Sequence, residues 1–417
     1  FSQFQEQTDP ANVQFVVGYN GTDNVRIDPA NLGGGATDLN GLTDVLIDGD
    51  SAYFINIPAG LSGNPAGNII IGSGAANSMT TATENVVIGV NALANDSGDS
   101  NANENVIIGY GASQTSVTQV QAVVAIGFEA SKANGNAFGG THIGWKAADS
   151  TSSKYRSTSV GALAMSGSAT AQDSVAIGYT ASGFSTGTIS GSTTVGYEAG
   201  SRSDAAQTTL IGYQASKDNQ AEGIVSLGYQ AGFSQTSGAS NTNIGYQAGY
   251  STTTGDNNTS IGYQAGENLS SGNNNTLIGS NSAPSVNTIS NEITLGDSSV
   301  STLRCAVTTI TSLSDERDKS EIKDLEYGLA FVDALQPREF VWDNRVETNK
   351  DGEEFYSANK GKKDFGFIAQ EVRELDNDTL RLVYSENEEK LELSYGKLVP
   401  ILVKAIQELK AEIELLK

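Results

Sequence analysis

An aliphatic residue followed by glycine returns 14 times between Gly72 and Gly296, at spacings of 16 to 20 residues that average about 17. The glycines are Gly72, Gly89, Gly109, Gly127, Gly144, Gly161, Gly178, Gly196, Gly212, Gly228, Gly245, Gly262, Gly279 and Gly296, and Ile, Val or Leu precedes each. The fullest copies read NTNIGYQAG (241–249), NTSIGYQAG (258–266) and NTLIGSNSA (275–283). A unit this short cannot bury a core alone, so the copies must stack on one another. Helical periodicity is absent, while short β-branched runs punctuated by Asn, Gly and Ser favour strands. Residues 68–313 are therefore expected to form a β-rod, either a β-solenoid or an interwound structure, in which stacking buries a ladder of the aliphatics. Glycine would sit where the backbone turns or neighbouring rungs approach, and alanine, third after the glycine in 12 of 14 units, where space is tight.

An aromatic residue follows the glycine in nine units: Tyr110, Phe128, Trp145, Tyr179, Tyr197, Tyr213, Tyr229, Tyr246 and Tyr263. A ladder of stacked rings explains this regularity better than a sugar-binding row, because a binding site usually breaks a repeat. The irregular loops 95–105, 131–140 and 148–158 are better contact candidates, although none has the spaced ligands of a calcium hand. Ahead of the rod, residues 1–67 read as a β-subdomain or connector, with GLTDVLIDGDSAYFIN (41–56) alternating as a small β-element.

Composition changes abruptly at SLSDERDKS (312–320). Of the 72 charged residues 41 lie after Ser314, whereas 42 of the 47 glycines lie before it. The net charge of −24, with acids in excess on both sides, disfavours nucleic acid as a partner. No apolar run reaches bilayer length, so no membrane insertion is expected. Cys305 is the only cysteine and is expected to be a small buried residue. The chain begins at Phe1 without a signal-peptide pattern, as a fragment or processed product would.

Residues 314–417 read as a small α/β domain. A helix is expected over 320–336, a strand over 338–343, a polar loop over 344–364, a strand leading into a helix over 365–375 and a hairpin over 380–395. The last segment places Tyr395, Val399, Leu402, Ile406, Leu409, Ile413 and Leu416 at spacings of four and three, a heptad seam. It fits a trimeric bundle, or a single helix packed on its own domain. Locally, SDERDKSE also fits a helix start with Ser314 as N-cap.

The repeats resemble the heads of trimeric bacterial adhesins and the shafts of phage tail fibres. In the C-terminal region Ser314, Asp315, Arg317, Lys319 and Ile322, then GL (328–329), LQPREFVW (335–342), GFIAQEV (366–372) and YGKLVPILVKAIQEL (395–409), resemble the endosialidase-type intramolecular chaperone domain of phage tail spikes and fibres. That resemblance implies three chains brought into register, a trimeric rod ending in a helical bundle, and a domain that then cleaves itself off. It further implies Ser314 as nucleophile and Lys319 as general base, with Asp315, Arg317, Gln370 and Glu371 in support and no metal or cofactor. Either the Ser314–Asp315 or the Leu313–Ser314 bond would break. Some family members use a histidine; the only one here is His142, in the rod.

The expected protein is a homotrimeric phage tail fibre or virion appendage, assembled in the host cytoplasm. It would join other tail proteins and bind a host glycan or protein receptor. A bacterial trimeric adhesin and a glycan-degrading tail spike are the alternatives. The latter needs two carboxylates about 5 to 10 Å apart in a cleft, for which the repeats offer no frame.

Overall fold

The computed structural model describes residues 67–79, 81–95, 102–115, 119–133, 136–150, 153–167, 170–305, 314–343, 359–376 and 379–417, together with strands at 15–19, 24–27, 45–48, 51–54, 347–348 and 354–355. Each of the 14 repeat glycines directly follows a three-residue strand, from Ile69–Ile71 to Ile293–Leu295. These strands pair in parallel and in constant register, Thr242 opposite Thr259 and Ile244 opposite Ile261, for example. The chain thus coils on itself as a β-solenoid with one rung of the main sheet per repeat, and the strands are stacked, not interwound.

The glycines are demanded by the next rung. At Gly262 φ is +136°, and a Cβ there would sit 2.5 Å from the carbonyl oxygen of Gly279. Gln247 and Gly249, second and fourth after their repeat glycine, also take left-handed backbone, which turns the chain sharply out of the strand.

The direction of the strand side chains corrects one expectation. The residue before the glycine lies partly outside: Ile143, Ile177, Ile244 and Ile278 are more than a third exposed. The buried column is one residue earlier, with Ile70, Val87, Ile107, Leu210 and Leu277 among its members. Successive strand residues face opposite ways, so only one of the two positions can point into the coil. The inner column also carries His142, Ser159, Thr194, Ser226, Asn243 and Ser260. The repeat alanines, Ala75 to Ala265, fill the rest of the interior.

Buried amides satisfy the turns. Asn85 Nδ2 donates to Asn68 Oδ1 at 3.0 Å and Asn105 Nδ2 to Asn85 Oδ1 at 2.9 Å. The same column returns as Asn241, Asn258 and Asn275. Within loops 131–140 and 148–158, the strands Asn136–Phe138 and Lys154–Tyr155 join Gln119–Gln121 and Ala171–Gln172 in a second parallel sheet. Residues 96–101, in the loop 95–105, lie outside the described residues.

At the N-terminal end, Val45–Asp48 and Ser51–Phe54 pair as an antiparallel hairpin within 41–56, the segment expected to form a small β-element. Its second strand pairs in parallel with Ile69–Ile71, so the hairpin continues the rod's sheet. Strands Phe15–Tyr19 and Asn24–Ile27 pair antiparallel.

The C-terminal domain is built around Phe331, Leu335, Val372, Leu382, Val383, Leu398 and Ile401. The first helix, α1, is shorter than expected, spanning only Leu329–Ala334. Ile322 is exposed, and α1 starts where Glu408 accepts the Leu329 N–H at 2.7 Å. A tertiary contact, not the apolar spacing, sets its N-terminus. Strand Arg338–Val341 pairs antiparallel with Lys363–Gly366, helix α2 covers Ala369–Asp376, and Val383–Tyr384 pairs with Glu392–Leu393. The polar loop contains a short hairpin, Glu347–Thr348 with Glu354–Phe355.

The last helix, α3, runs over Leu398–Leu415 and tolerates Pro400 in its first turn. It packs on its own domain through Leu398, Ile401 and Ala405. Every residue of the heptad seam is exposed instead, from Tyr395 through Val399, Leu402, Ile406, Leu409 and Ile413 to Leu416. Cys305 is exposed beyond the last rung, against the expectation of burial.

Candidate functional site

The junction folds through Asp315. Its extended backbone (φ −69°, ψ 138°) starts a 3-10 turn, Glu316–Asp318, and its carboxylate accepts the Arg317 N–H at 2.9 Å. The cap is therefore Asp315, not Ser314. Arg317 returns its guanidinium to the same carboxylate, Nε to Oδ1 at 3.0 Å and Nη2 to Oδ2 at 2.7 Å. These hydrogen bonds hold the Asp315 carboxyl below its ordinary range and raise Arg317 above its own.

The turn brings Lys319 back over Ser314. Lys319 Nζ donates to Ser314 Oγ at 2.6 Å and to the Ser314 carbonyl oxygen at 3.0 Å. The sequence singled out this pair, and the structure supplies the hydrogen bond between them. Both residues are exposed in the single chain. A lysine that is to take a proton must first be desolvated or placed near other cations.

Gln370 and Glu371 lie elsewhere, in the first turns of α2. Gln370 is exposed. Glu371 meets Arg338 in a bidentate pair, at 3.1 and 2.8 Å, which ties α2 to the sheet. The GFIAQEV segment is positioned by Tyr395, whose hydroxyl oxygen accepts the Phe367 N–H at 3.1 Å. A Cβ on Gly366 would lie 2.5 Å from that oxygen, which explains the glycine. Sequence reasoning passed over Asp376, which is buried and accepts the N–H groups of Leu380 (2.5 Å) and Leu382 (2.9 Å). An acid closing a helix just before a polar turn was the available signal.

On the rod, the aromatics stack as a ladder. Tyr179, Tyr197, Tyr213, Tyr229, Tyr246 and Tyr263 follow one another at 5.0–5.3 Å between ring centres, with planes within 16° of parallel. Tyr110 and Phe128 stack in the same way. Within such a stack the faces are covered by neighbouring rings, whereas a sugar would need an open face. A parallel amide ladder runs beside it: Gln230 Nε2 donates to Gln214 Oε1 at 3.1 Å and Gln247 Nε2 to Gln230 Oε1 at 3.0 Å. Trp145 carries Lys146 Nζ 5.5 Å from its ring centre, and Lys146 also pairs with Glu129 at 3.1 Å. Among the described residues no group of three or more His, Cys, Asp or Glu side chains is placed to hold a metal, and no helix is long and apolar enough to cross a membrane.

Comparison with known families assigns the junction. Residues 314–381 match the peptidase S74 family model, described as "Chaperone of endosialidase". No curated protein and no solved structure matches the chain. The matched segment begins at Ser314 and ends next to Leu382, while residues 382–417 complete the same core. Residues 314–381 are therefore a chaperone-of-endosialidase domain, whose peptidase class implies self-cleavage, and its place behind a β-solenoid rod supports a tail-fibre- or spike-like protein.

Proposed function

We propose that this chain is the rod of a homotrimeric phage tail fibre or virion appendage, folded by its C-terminal domain, which then cleaves itself off at Ser314. The observation that carries the reading is the 2.6 Å contact of Lys319 Nζ with Ser314 Oγ at the first residue of the matched domain, directly behind a β-solenoid.

Two apolar features support assembly. The heptad seam of α3 is exposed from Val399 to Leu416, because the helix uses another face to hold its own domain. Along the rod, residues on either side of several repeat glycines, such as Ile177 with Tyr179 and Ile244 with Tyr246, form an exposed stripe. Three chains meeting along these stripes would bury them and would surround Ser314 and Lys319 with protein. Burial favours the neutral amine and so makes Lys319 a competent base. Cleavage then follows assembly and makes it kinetically irreversible. Host recognition belongs on this reading to the loops and the N-terminal residues, the partner being a host glycan or protein.

The chemistry has two forms. In the first, Lys319 takes the Ser314 hydroxyl proton, Oγ attacks the Leu313 carbonyl through a five-membered ring, and the Leu313–Ser314 amide becomes an ester that water hydrolyses. In the second, Lys319 polarises the Ser314 carbonyl, as its 3.0 Å contact favours, and water breaks the Ser314–Asp315 bond. Oγ cannot easily do this itself, since attack on its own carbonyl closes a four-membered ring. Intact masses of the wild type and of Ser314→Ala test the proposal. Fragments 1–313 and 314–417 mean the first form, and fragments 1–314 and 315–417 the second. An uncut assembled trimer in both proteins refutes self-cleavage.

A further inference from the structure

The last turn of the rod departs from its own repeat where it meets the chaperone-type domain. In the three rungs before it, an asparagine column, Asn241, Asn258 and Asn275, both accepts from the next rung and donates into it. Asn275 Oδ1 accepts the Glu292 N–H at 2.9 Å, and Asn275 Nδ2 donates to Ile289 O at 2.7 Å. At the final rung the column holds Glu292, which has no side-chain donor to pass on. Its carboxylate instead gathers donors: the Ser285 N–H at 2.8 Å, the Ser285 hydroxyl at 2.5 Å and the Thr294 hydroxyl at 3.2 Å.

One further donor comes from the other domain. The Tyr384 hydroxyl donates to Glu292 Oε2 at 3.2 Å, and Asn387 Nδ2 donates to the Ser285 carbonyl at 2.8 Å. Tyr384 ends the strand Val383–Tyr384, whose neighbours Leu382 and Val383 belong to the domain core. The surface offered to the rod is thus anchored in a part that can fold before it. The rod's last strand, Ile293–Leu295, needs such a surface: it has a partner on one side only, and its outer residues Ile293 and Leu295 are 72% and 54% exposed. In a parallel solenoid each rung is stabilised by its neighbour, so the first rung to form is the costly one.

We propose that the segment 383–393 of the chaperone-type domain is the template on which the rod's last turn is set, with Glu292 and Ser285 as the receiving residues, and that the ladder grows from there toward the N-terminus. The proposal rests on reading residues 314–417 as an intramolecular chaperone, and it names the surface through which that domain would act.

The test is pulsed hydrogen exchange during refolding of the full chain carrying Ser314→Ala with Lys319→Ala, which removes the groups that both forms of cleavage need and keeps the domain attached. Amides of 275–295 are expected to be protected first, followed by successively earlier rungs. Glu292→Asn, which restores the repeat's own residue, combined with Asn387→Ala should slow rod protection about tenfold and leave the unfolding rate of the finished rod nearly unchanged. Tyr384→Phe, which keeps the ring, should slow it in the same direction, about threefold. Protection that starts elsewhere, or variants that refold at the parental rate, would overturn the template. Leu382→Asp, which disrupts the domain core, separates the two ideas. If its rod still folds at the parental rate, the chaperone reading itself fails. If that variant alone is impaired, only the template fails.

Discussion

Lys154 is the least expected charge in the rod, and replacing it gives the sharpest energetic test of the fold. Its side chain is buried, its Nζ donates to Ser150 Oγ at 2.7 Å, and burial depresses its pKa from 10.5 to about 7. Between pH 7 and 10.5 the unfolded chain holds a proton that the folded chain has released. Stability therefore rises with pH across that window, and below pH 7 the buried ammonium imposes its full cost. A shift of this size corresponds to about 5 kcal/mol, at 1.36 kcal/mol per pKa unit. Lys154→Met keeps the length of the side chain and removes the charge, and about 1 kcal/mol is given back because Ser150 loses a partner. The variant should thus be more stable by roughly 3–4 kcal/mol at pH 6, with the advantage gone above pH 10.5. Urea unfolding followed by Trp145 fluorescence, with Trp342→Phe to silence the only other tryptophan, reads this part of the rod. The midpoint should move up by about 1.5 M at pH 6, taking a slope of about 2 kcal/mol per molar. A destabilised variant, or a gain that does not vary with pH, would refute the buried ammonium.

His142 gives the matching effect on the acid side. Burial, and next to it the charge of Lys154, holds its pKa at about 3, so rod stability should fall as pH drops from 6.5 toward 3, and His142→Asn should flatten that limb of a pH-dependent urea series. Gly262→Ala forces a Cβ against the Gly279 carbonyl at φ +136° and should cost about 3 kcal/mol or more, read as a lowered thermal midpoint with the C-terminal core unaffected. Ile406→Asp with Ile413→Asp should leave the domain folded, because both residues are exposed and neither belongs to its buried core, while abolishing the proposed trimer in sedimentation velocity. Tyr229→Ser removes two ring contacts at 5.1 Å and should lower rod stability by about 1–3 kcal/mol, measured by urea midpoint.

Much was readable in advance because it is encoded locally. The glycine period, the turn residues and the short β-branched runs recur along the rod, so repetition alone pointed to a repeating β-rod, stacked or interwound, and to a ladder of rings. The heptad spacing of α3 likewise belongs to one helix, and Ser314 and Lys319 are only five residues apart, within reach of a single turn. The family's segments were recognisable as short runs in the right order.

The tertiary structure decided which side of each strand faces inward. Aliphatics precede the glycines throughout, yet the coil closes on the position before them, and that choice puts His142 and Ser159 inside with Nδ1 and Oγ 2.9 Å apart. Strand alternation supplies two faces but no label for either, and only closure of the coil assigns one to the core. Contacts between distant segments were equally invisible: Glu408 starting α1, Glu371 held by Arg338, and Glu292 meeting Tyr384. Each joins residues 33 to 92 positions apart, where no sequence period reaches and only packing brings the groups together.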